Sequence, residues 1–202
     1  MRCYHFAMKP LFSPTTEAGA DPVVLEELHF RRIDMRGYQR SDGLYQIEGR
    51  VTDRKPYDFL PASGGREVPA NEEVHDMGVC LVFDRDMVVQ EVHSFMNAMP
   101  YGNCPGGDAG LQAMKGAQMT KGWRREVQDR LGGDRSCAHL RDLLVPMATA
   151  AVQSMSVLRR NDPLRLDKHG RPAKIDSCHA YSAHGELVLQ HWPEFYRPKK
   201  TD

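Results

Sequence analysis

The sequence predicts an α+β fold in which an antiparallel sheet built from hairpins packs against a helical layer with one long helix. Short alternating apolar runs separated by turn residues fill the first half of the chain, and apolar residues at helical spacing fill much of the second half. The 202 residues, 41% of them hydrophobic, suffice for a substantial core. We expect an irregular N-terminal arm over residues 1–24 and a single α+β domain over residues 25–202.

Two hairpins are predicted in the first half. Residues 27–39 and 43–53 read as paired strands around a glycine-containing turn. Residues 75–84 and 87–100 read as a second pair around an acidic turn. The semi-regular alternation of these strands is typical of a sheet that is covered on one face.

Helices are expected after the second hairpin. Short helices are predicted over residues 110–115 and 121–131, each ended by glycine. A long helix is predicted over residues 137–160, where apolar residues recur every three to four positions. Pro146 should kink this helix or mark its first turn.

A third hairpin is predicted near the C-terminus. It follows a polar linker at residues 161–172 and pairs residues 174–182 with residues 186–193. This hairpin would extend the sheet.

Charge and hydropathy exclude several classes of partner. Lys plus Arg equals Asp plus Glu at 27 each, so no overall basic field favours nucleic acid or an anionic membrane. No apolar run approaches the ~20 residues of a membrane helix, and the first residues lack the apolar core of a signal peptide. We therefore expect a cytoplasmic protein with reduced cysteines and without a nucleic-acid or membrane partner. Assembly into a homo-oligomer is left open.

Histidine and cysteine motifs predict a metal site. Imidazole and thiolate are ligands that zinc and iron prefer, and the motifs are far apart in the sequence, so the fold must bring them together. Cys80 is expected in the core, and the histidines without partner motifs, His29 among them, are expected to be solvated or at the edge of the core. The candidate ligands are His75, Cys104, Cys137, His139, Cys178 and His179.

Strand alternation limits this set. Adjacent residues on a strand point to opposite faces, so only one of His75 and Asp76 can face the site, and the same holds for Cys178 and His179. Which member does so is left open. Cys137 and His139 can share a metal only if Cys137 caps the long helix; if one alone binds, His139 is favoured.

Charged residues near the end of the second strand could supply acid–base chemistry. If this strand lies beside the strand of His75, Asp53 or Glu48 could act as a general base next to a metal, and Lys55 or Arg40 could bind an anionic substrate group. Asp76 is a further catalytic candidate. The alternative is that such charges only keep a strand edge soluble.

Five motifs in order resemble the bacterial family labelled domain of unknown function 2889. They are FRRIDMRGYQRSDGLYQIEGRVTDRKPYDF, HDM, MPYGNCP, LGG with CAHLRDLL, and DSCHAYSAHGELV. The family's usual string is Gly-Cys-Thr-His, and this chain has Ser136-Cys137-Ala138-His139 at that place. The Cys and His are therefore the same, and the other two residues differ. The family label implies little about activity.

Residues 75–153 also resemble the U-type iron–sulfur cluster scaffold proteins in layout. Asp76, Cys104, Lys115 and Cys137 occupy the places of that family's acidic residue, loop cysteine, Lys-Gly turn and helix-start cysteine. The resemblance implies that thiolates and a carboxylate converge on one zinc ion or cluster. The family's first cysteine has no counterpart beside Asp76.

Two functions follow. The first is a metal-dependent enzyme with zinc or iron, a lyase or hydrolase that acts on a small organic substrate. Aromatic side chains are available to line its pocket, which suggests an aromatic substrate. The alternative is a non-catalytic scaffold for a metal or an iron–sulfur cluster. Histidine-rich ligation and a nearby carboxylate favour the enzyme.

Overall fold

The computed structural model describes residues 10–12, 21–120 and 122–199. Most of the expected arm at residues 1–24 lies outside these ranges. The chain divides into two compact units, Met1–Ser154 and Met155–Asp202, and each is described by itself. None of the helices in the described ranges is both long enough and apolar enough to cross a membrane.

Four antiparallel strands form the sheet of the first unit. They are β1 (Phe30–Gln39), β2 (Tyr45–Arg54), β3 (Glu73–Phe83) and β4 (Val89–Ala98), in the order β1-β2-β3-β4. Both predicted hairpins of the first half are therefore confirmed, and the helices described below complete the predicted α+β class. The order places β2 and β3 side by side at the centre of the sheet.

One face of the sheet carries the core. Ile47, Val51, Met77 and Leu81 point to this face and are almost fully buried. Gly49 lies among them, and a Cβ added there would stand 2.8 Å from the sulfur of Met147. The missing side chain lets a helix approach the sheet closely.

That helix is α2 (Ala138–Met155), which is preceded by α1 (Trp123–Leu131). The buried indole nitrogen of Trp123 donates a hydrogen bond to the carbonyl of Leu144 at 2.7 Å and ties the two helices together. Pro146 lies inside α2 and does not end it.

The predicted helix limits differ from the observed ones in two places. The segment expected as a helix over residues 110–115 is a 3₁₀ helix, Ala109–Met114, which follows another, Cys104–Gly107. The long helix ends at Met155 and the chain continues to residue 160 in turns.

The predicted third hairpin is wrong. The second unit instead has a 3₁₀ helix, His179–Tyr181, and helix α3 (Glu186–His191). The carboxylate of Asp176 accepts a hydrogen bond from the Ala183 amide at 2.8 Å, which closes a compact loop where the strand was expected. Apolar runs this short do not distinguish a strand from a helical turn.

Candidate metal centre

Asp53 of β2 and His75 of β3 lie directly opposite each other in the sheet. Opposed residues share a face, and Asp53 lies four residues from Gly49, so both side chains project towards the face that packs on α2. His139, in the first turn of α2, reaches the same place from the helix. One potential ligand atom from each of the three lies within 4.8 Å of the others.

The Asp53 carboxylate, only 1% exposed, is the hub of this group. Arg31 on β1 lies opposite Asp53 and binds both carboxylate oxygens, with two N–O distances of 2.7 Å. Nδ1 of His75 lies 2.9 Å from Oδ2, and Nε2 of His29 lies 3.2 Å from Oδ1. Arg31, Asp53 and His75 thus form one row across three strands.

These contacts decide the charge of Asp53. Burial acts to raise the pKa of the carboxyl, but the hydrogen bonds and charges of Arg31 and His75 outweigh it and hold the pKa well below its usual range. Asp53 is therefore ionised at any physiological pH, which is the state that a metal ligand or a histidine-orienting group requires.

His139 stacks on His75, with ring centroids 4.0 Å apart. Burial lowers the pKa of His139, and the neighbouring charges of His75 and Arg31 lower it further. The neutral ring of His139 is consequently favoured near neutral pH. Metals bind the neutral imidazole.

Cys137 lies at the cap of α2, as sharing a metal with His139 would require. Its amide donates to the Gly107 carbonyl at 2.8 Å, and its carbonyl accepts from the Arg141 amide at 3.0 Å. Its sulfur lies 4.0 Å from that of Met77. Within the described ranges, the group of convergent ligand atoms includes neither this thiol nor that of Cys104, which begins the 3₁₀ helix Cys104–Gly107.

Cys178 and His179 belong to the second unit, where both are exposed. Cys178 precedes the 3₁₀ helix that His179 begins, so neither lies on a strand. The expectation that strand alternation sends them to opposite faces is wrong for that reason.

Three predicted catalytic residues lie away from the Asp53 carboxylate. Asp76 and Glu48 point to the open face of the sheet, because each is the chain neighbour of a residue on the helix-covered face. Lys55 follows β2, where its ammonium lies 5.5 Å and 5.1 Å from the ring centres of Tyr57 and Phe59.

Asp76 has a structural partner set of its own. Arg50 binds both of its carboxylate oxygens at 2.7 and 2.9 Å, and the Asn97 amide donates to it at 2.9 Å. Burial acts to raise the pKa of Asp76, but these hydrogen bonds outweigh it and lower the pKa. Of the pair His75 and Asp76, His75 faces the candidate centre.

Sequence reasoning missed His29 and Arg31. His29 was expected to be solvated or at the edge of the core without a role in the site; its side chain is 41% exposed, and it reaches Asp53. Their positions depend on the register of β1 against β2. His29 and Arg31 are two residues apart and so lie on the same face of an extended chain, and the hairpin turn sets their register against β2. These two signals together could have placed both beside Asp53.

The chain belongs to the family described as Protein of unknown function (DUF2889), whose model matches residues 29–153. This confirms the family resemblance. The match ends one residue before the limit of the first unit and includes all of the candidate centre, whereas Cys178 and His179 lie outside it. No curated protein and no solved structure matches the chain. The likeness to iron–sulfur scaffolds stays a prediction.

Proposed function

We propose that this member of the DUF2889 family is a metal-dependent enzyme that holds one zinc or iron ion through His75, His139 and Asp53. The observation that carries the proposal is the convergence of two imidazoles and one carboxylate, with ligand atoms within 4.8 Å of one another. Two histidines and a carboxylate are the ligands of many catalytic zinc and non-haem iron sites, which keep positions open for water or substrate.

The hydrogen bonds of Asp53 allow two modes of binding. A carboxylate has about four lone-pair sites, and the contacts of Arg31, His75 and His29 use all of them, so in the first mode a metal would replace the contact of His75 or His29 on Asp53. Alternatively, Asp53 keeps its bond to Nδ1 of His75 and orients that ring, which then binds through Nε2. Both modes need the ionised carboxylate.

The chemistry that best fits this set is hydrolysis or a lyase reaction on a small organic substrate. A bound ion would polarise a substrate oxygen or acidify water. Proton transfer would fall to His29, whose partly exposed ring contacts Asp53 and can exchange protons with solvent. Arg31 would hold Asp53 in place while the proton moves.

A scaffold for an iron–sulfur cluster is the second candidate. Clusters are held mainly by cysteine thiolates, and the convergent group in the described part of the chain consists of nitrogen and oxygen ligands. The ligand chemistry therefore supports the enzyme over the scaffold.

Metal analysis tests the proposal. Protein purified without chelator should contain about one equivalent of zinc or iron per chain, as expected of a three-ligand site. His75→Ala and His139→Ala should lose the metal, whereas His169→Ala, a change in an exposed turn, should keep it. Folded wild-type protein that takes up neither metal would overturn the proposal.

Visible absorption separates the two functions. A zinc enzyme is colourless and a mononuclear iron site absorbs weakly, whereas a cluster gives a brown protein that bleaches on reduction. Products formed from a panel of small esters and aromatic acids should then appear with the loaded wild type and be lost in His139→Ala. Turnover that survives this change would rule out the proposed centre as the catalyst.

A further inference from the structure

The open face of the sheet, opposite the candidate metal centre, carries a cleft of about 350 Å³. All four strands contribute to its lining, and every lining residue belongs to the first unit. Volumes of ~300–1,000 Å³ are typical of small-molecule sites. The cleft is large enough for a molecule the size of an amino acid.

Phe95 forms an apolar wall beside this cleft. It lies opposite Gly78 on β3, and a Cβ added to Gly78 would stand 2.5 Å from Cε1 of the Phe95 ring. The glycine thus lets the ring lie down across the sheet, where 41% of the residue remains exposed. An aromatic ring held in this way offers a flat apolar surface to a ligand.

Most charges around the cleft have partners of opposite sign. Asp34 pairs with Arg32 at 2.7 Å, and Arg50 pairs with Asp76 at 2.7 Å. His93 lies 2.9 Å from the carboxylate of Glu91. These groups have little capacity left for a charged ligand.

Arg36 and Glu48 differ from those groups. They lie opposite each other on β1 and β2, yet no ion pair joins them, and neither forms an ion pair with any other residue that the structure describes; Asp34 feels the charge of Arg36 but pairs with Arg32. The half-buried Glu48 accepts a single hydrogen bond, from the Gln46 amide at 2.7 Å. The cleft therefore presents one positive and one negative group on neighbouring strands, and neither is held in an ion pair.

We propose that this cleft binds a small zwitterion, an α-amino acid with an aromatic side chain. The planar fork of Arg36 suits the ligand carboxylate, and Glu48 accepts hydrogen bonds from the ligand ammonium. The ligand's ring packs against Phe95. Opposed strand residues have Cβ atoms ~4.5–5.5 Å apart, a spacing that suits the two adjacent charges of an α-amino acid.

The neighbouring carboxylates argue for a zwitterion over a simple anion. A ligand with only negative charge would meet Arg36 but would also be repelled by Glu48, which has no cation of its own. A ligand with only positive charge would meet the reverse problem at Arg36. The proposal does not rest on the metal centre, because that centre lies on the other face of the sheet.

Binding of L-phenylalanine to the full chain tests the proposal. Calorimetry and saturation-transfer NMR would compare it with 3-phenylpropanoate, which lacks the amine, and 2-phenylethylamine, which lacks the carboxylate. Each lost charge-assisted contact should weaken binding about tenfold or more. No detectable binding of phenylalanine, or equal binding of either fragment, would overturn the inference.

Matched variants locate the site. Arg36→Gln and Glu48→Gln should each weaken phenylalanine binding about tenfold or more, and Arg125→Gln, on the exposed side of α1, should leave it unchanged. Circular dichroism confirms that each variant is folded. Phe95→Leu, which keeps an apolar wall but removes the ring, should also weaken binding. This variant serves as the test if the Arg36 or Glu48 variants do not fold. Wild-type affinity in a folded variant at any of these three positions would place the ligand elsewhere and overturn the proposal.

Discussion

The rings of His75 and His139 stack with their centroids 4.0 Å apart and their planes inclined at 36°. One ring comes from the centre of the sheet and the other from the first turn of α2. A positive charge on His75 acts to lower the pKa of His139 at this separation, so protonation of His139 is disfavoured. A cation that binds both neutral rings would remove this conflict.

Zinc should therefore stabilise the protein. In differential scanning fluorimetry, zinc should raise the melting temperature of the wild type. At a zinc concentration one hundred times the dissociation constant, the free energy of unfolding should increase by ~2.7 kcal/mol. His139→Ala should lose this gain, and the matched His169→Ala should retain it. An unchanged zinc response in His139→Ala would show that the metal binds elsewhere.

Breaking the Arg31–Asp53 pair should destabilise the fold. Asp53→Asn removes a buried charge from two short hydrogen bonds, and we expect a loss of about 2–3 kcal/mol in the free energy of unfolding. The partial exposure of Arg31 keeps this below the cost of a fully buried pair.

Urea denaturation measures this loss, and Asp34→Asn provides the control. Asp34 also binds an arginine on the same sheet, but that pair is exposed and its removal should change stability little. Equal effects of the two changes would contradict the structural role of Asp53.

The thiol of Cys80 should react slowly with alkylating agents. Burial, with a smaller contribution from the negative charge of Glu48, raises the pKa of this thiol to about 11. Because only the thiolate attacks, the labelling rate should rise with pH up to about 11. At pH near 8 the exposed Cys178 should be labelled well before Cys80, as mass spectrometry of iodoacetamide-treated peptides would show.

Glu48→Gln provides the matched comparison for this thiol. Removing the negative charge should lower the pKa of Cys80 and speed its labelling modestly, since burial remains the larger cause. A slower reaction in this variant would contradict the assigned electrostatics.

Gly49→Ala should destabilise the packing of α2 on the sheet. The new methyl group would stand 2.8 Å from Sδ of Met147 and 3.6 Å from Cβ of Leu143. Overpacking of this kind costs about 1–3 kcal/mol, with the lower value if Met147 changes rotamer. Gly102→Ala is the control in thermal unfolding, because nothing lies within 4 Å of the added atom. Equal melting temperatures of the two variants would argue against close contact between β2 and α2.

The central part of the fold was predictable because two signals agreed there. Alternation of apolar residues and turn-forming residues together define the hairpins that end in β2 and β4. Near Cys178 the turn residues were present but the alternation of apolar residues was weak, and a side-chain hydrogen bond of Asp176 favours a compact turn instead. Single residues with such tertiary roles are invisible to periodicity.

The candidate site was predictable in part for a similar reason. Strand alternation separates His75 from Asp76, and neighbouring strands bring Asp53 to His75. The contribution of Arg31 depends on the register of an edge strand. The convergence of His139 depends on where α2 crosses the sheet, which no local pattern specifies.

The hydrogen bond from Trp123 to the Leu144 carbonyl gives this protein a spectroscopic reporter. The chain has two tryptophans, and they fall one to each compact unit, Trp123 in the first and Trp192 in the second. Replacing either by phenylalanine leaves a single indole. Its fluorescence would follow the unfolding of one unit without contribution from the other.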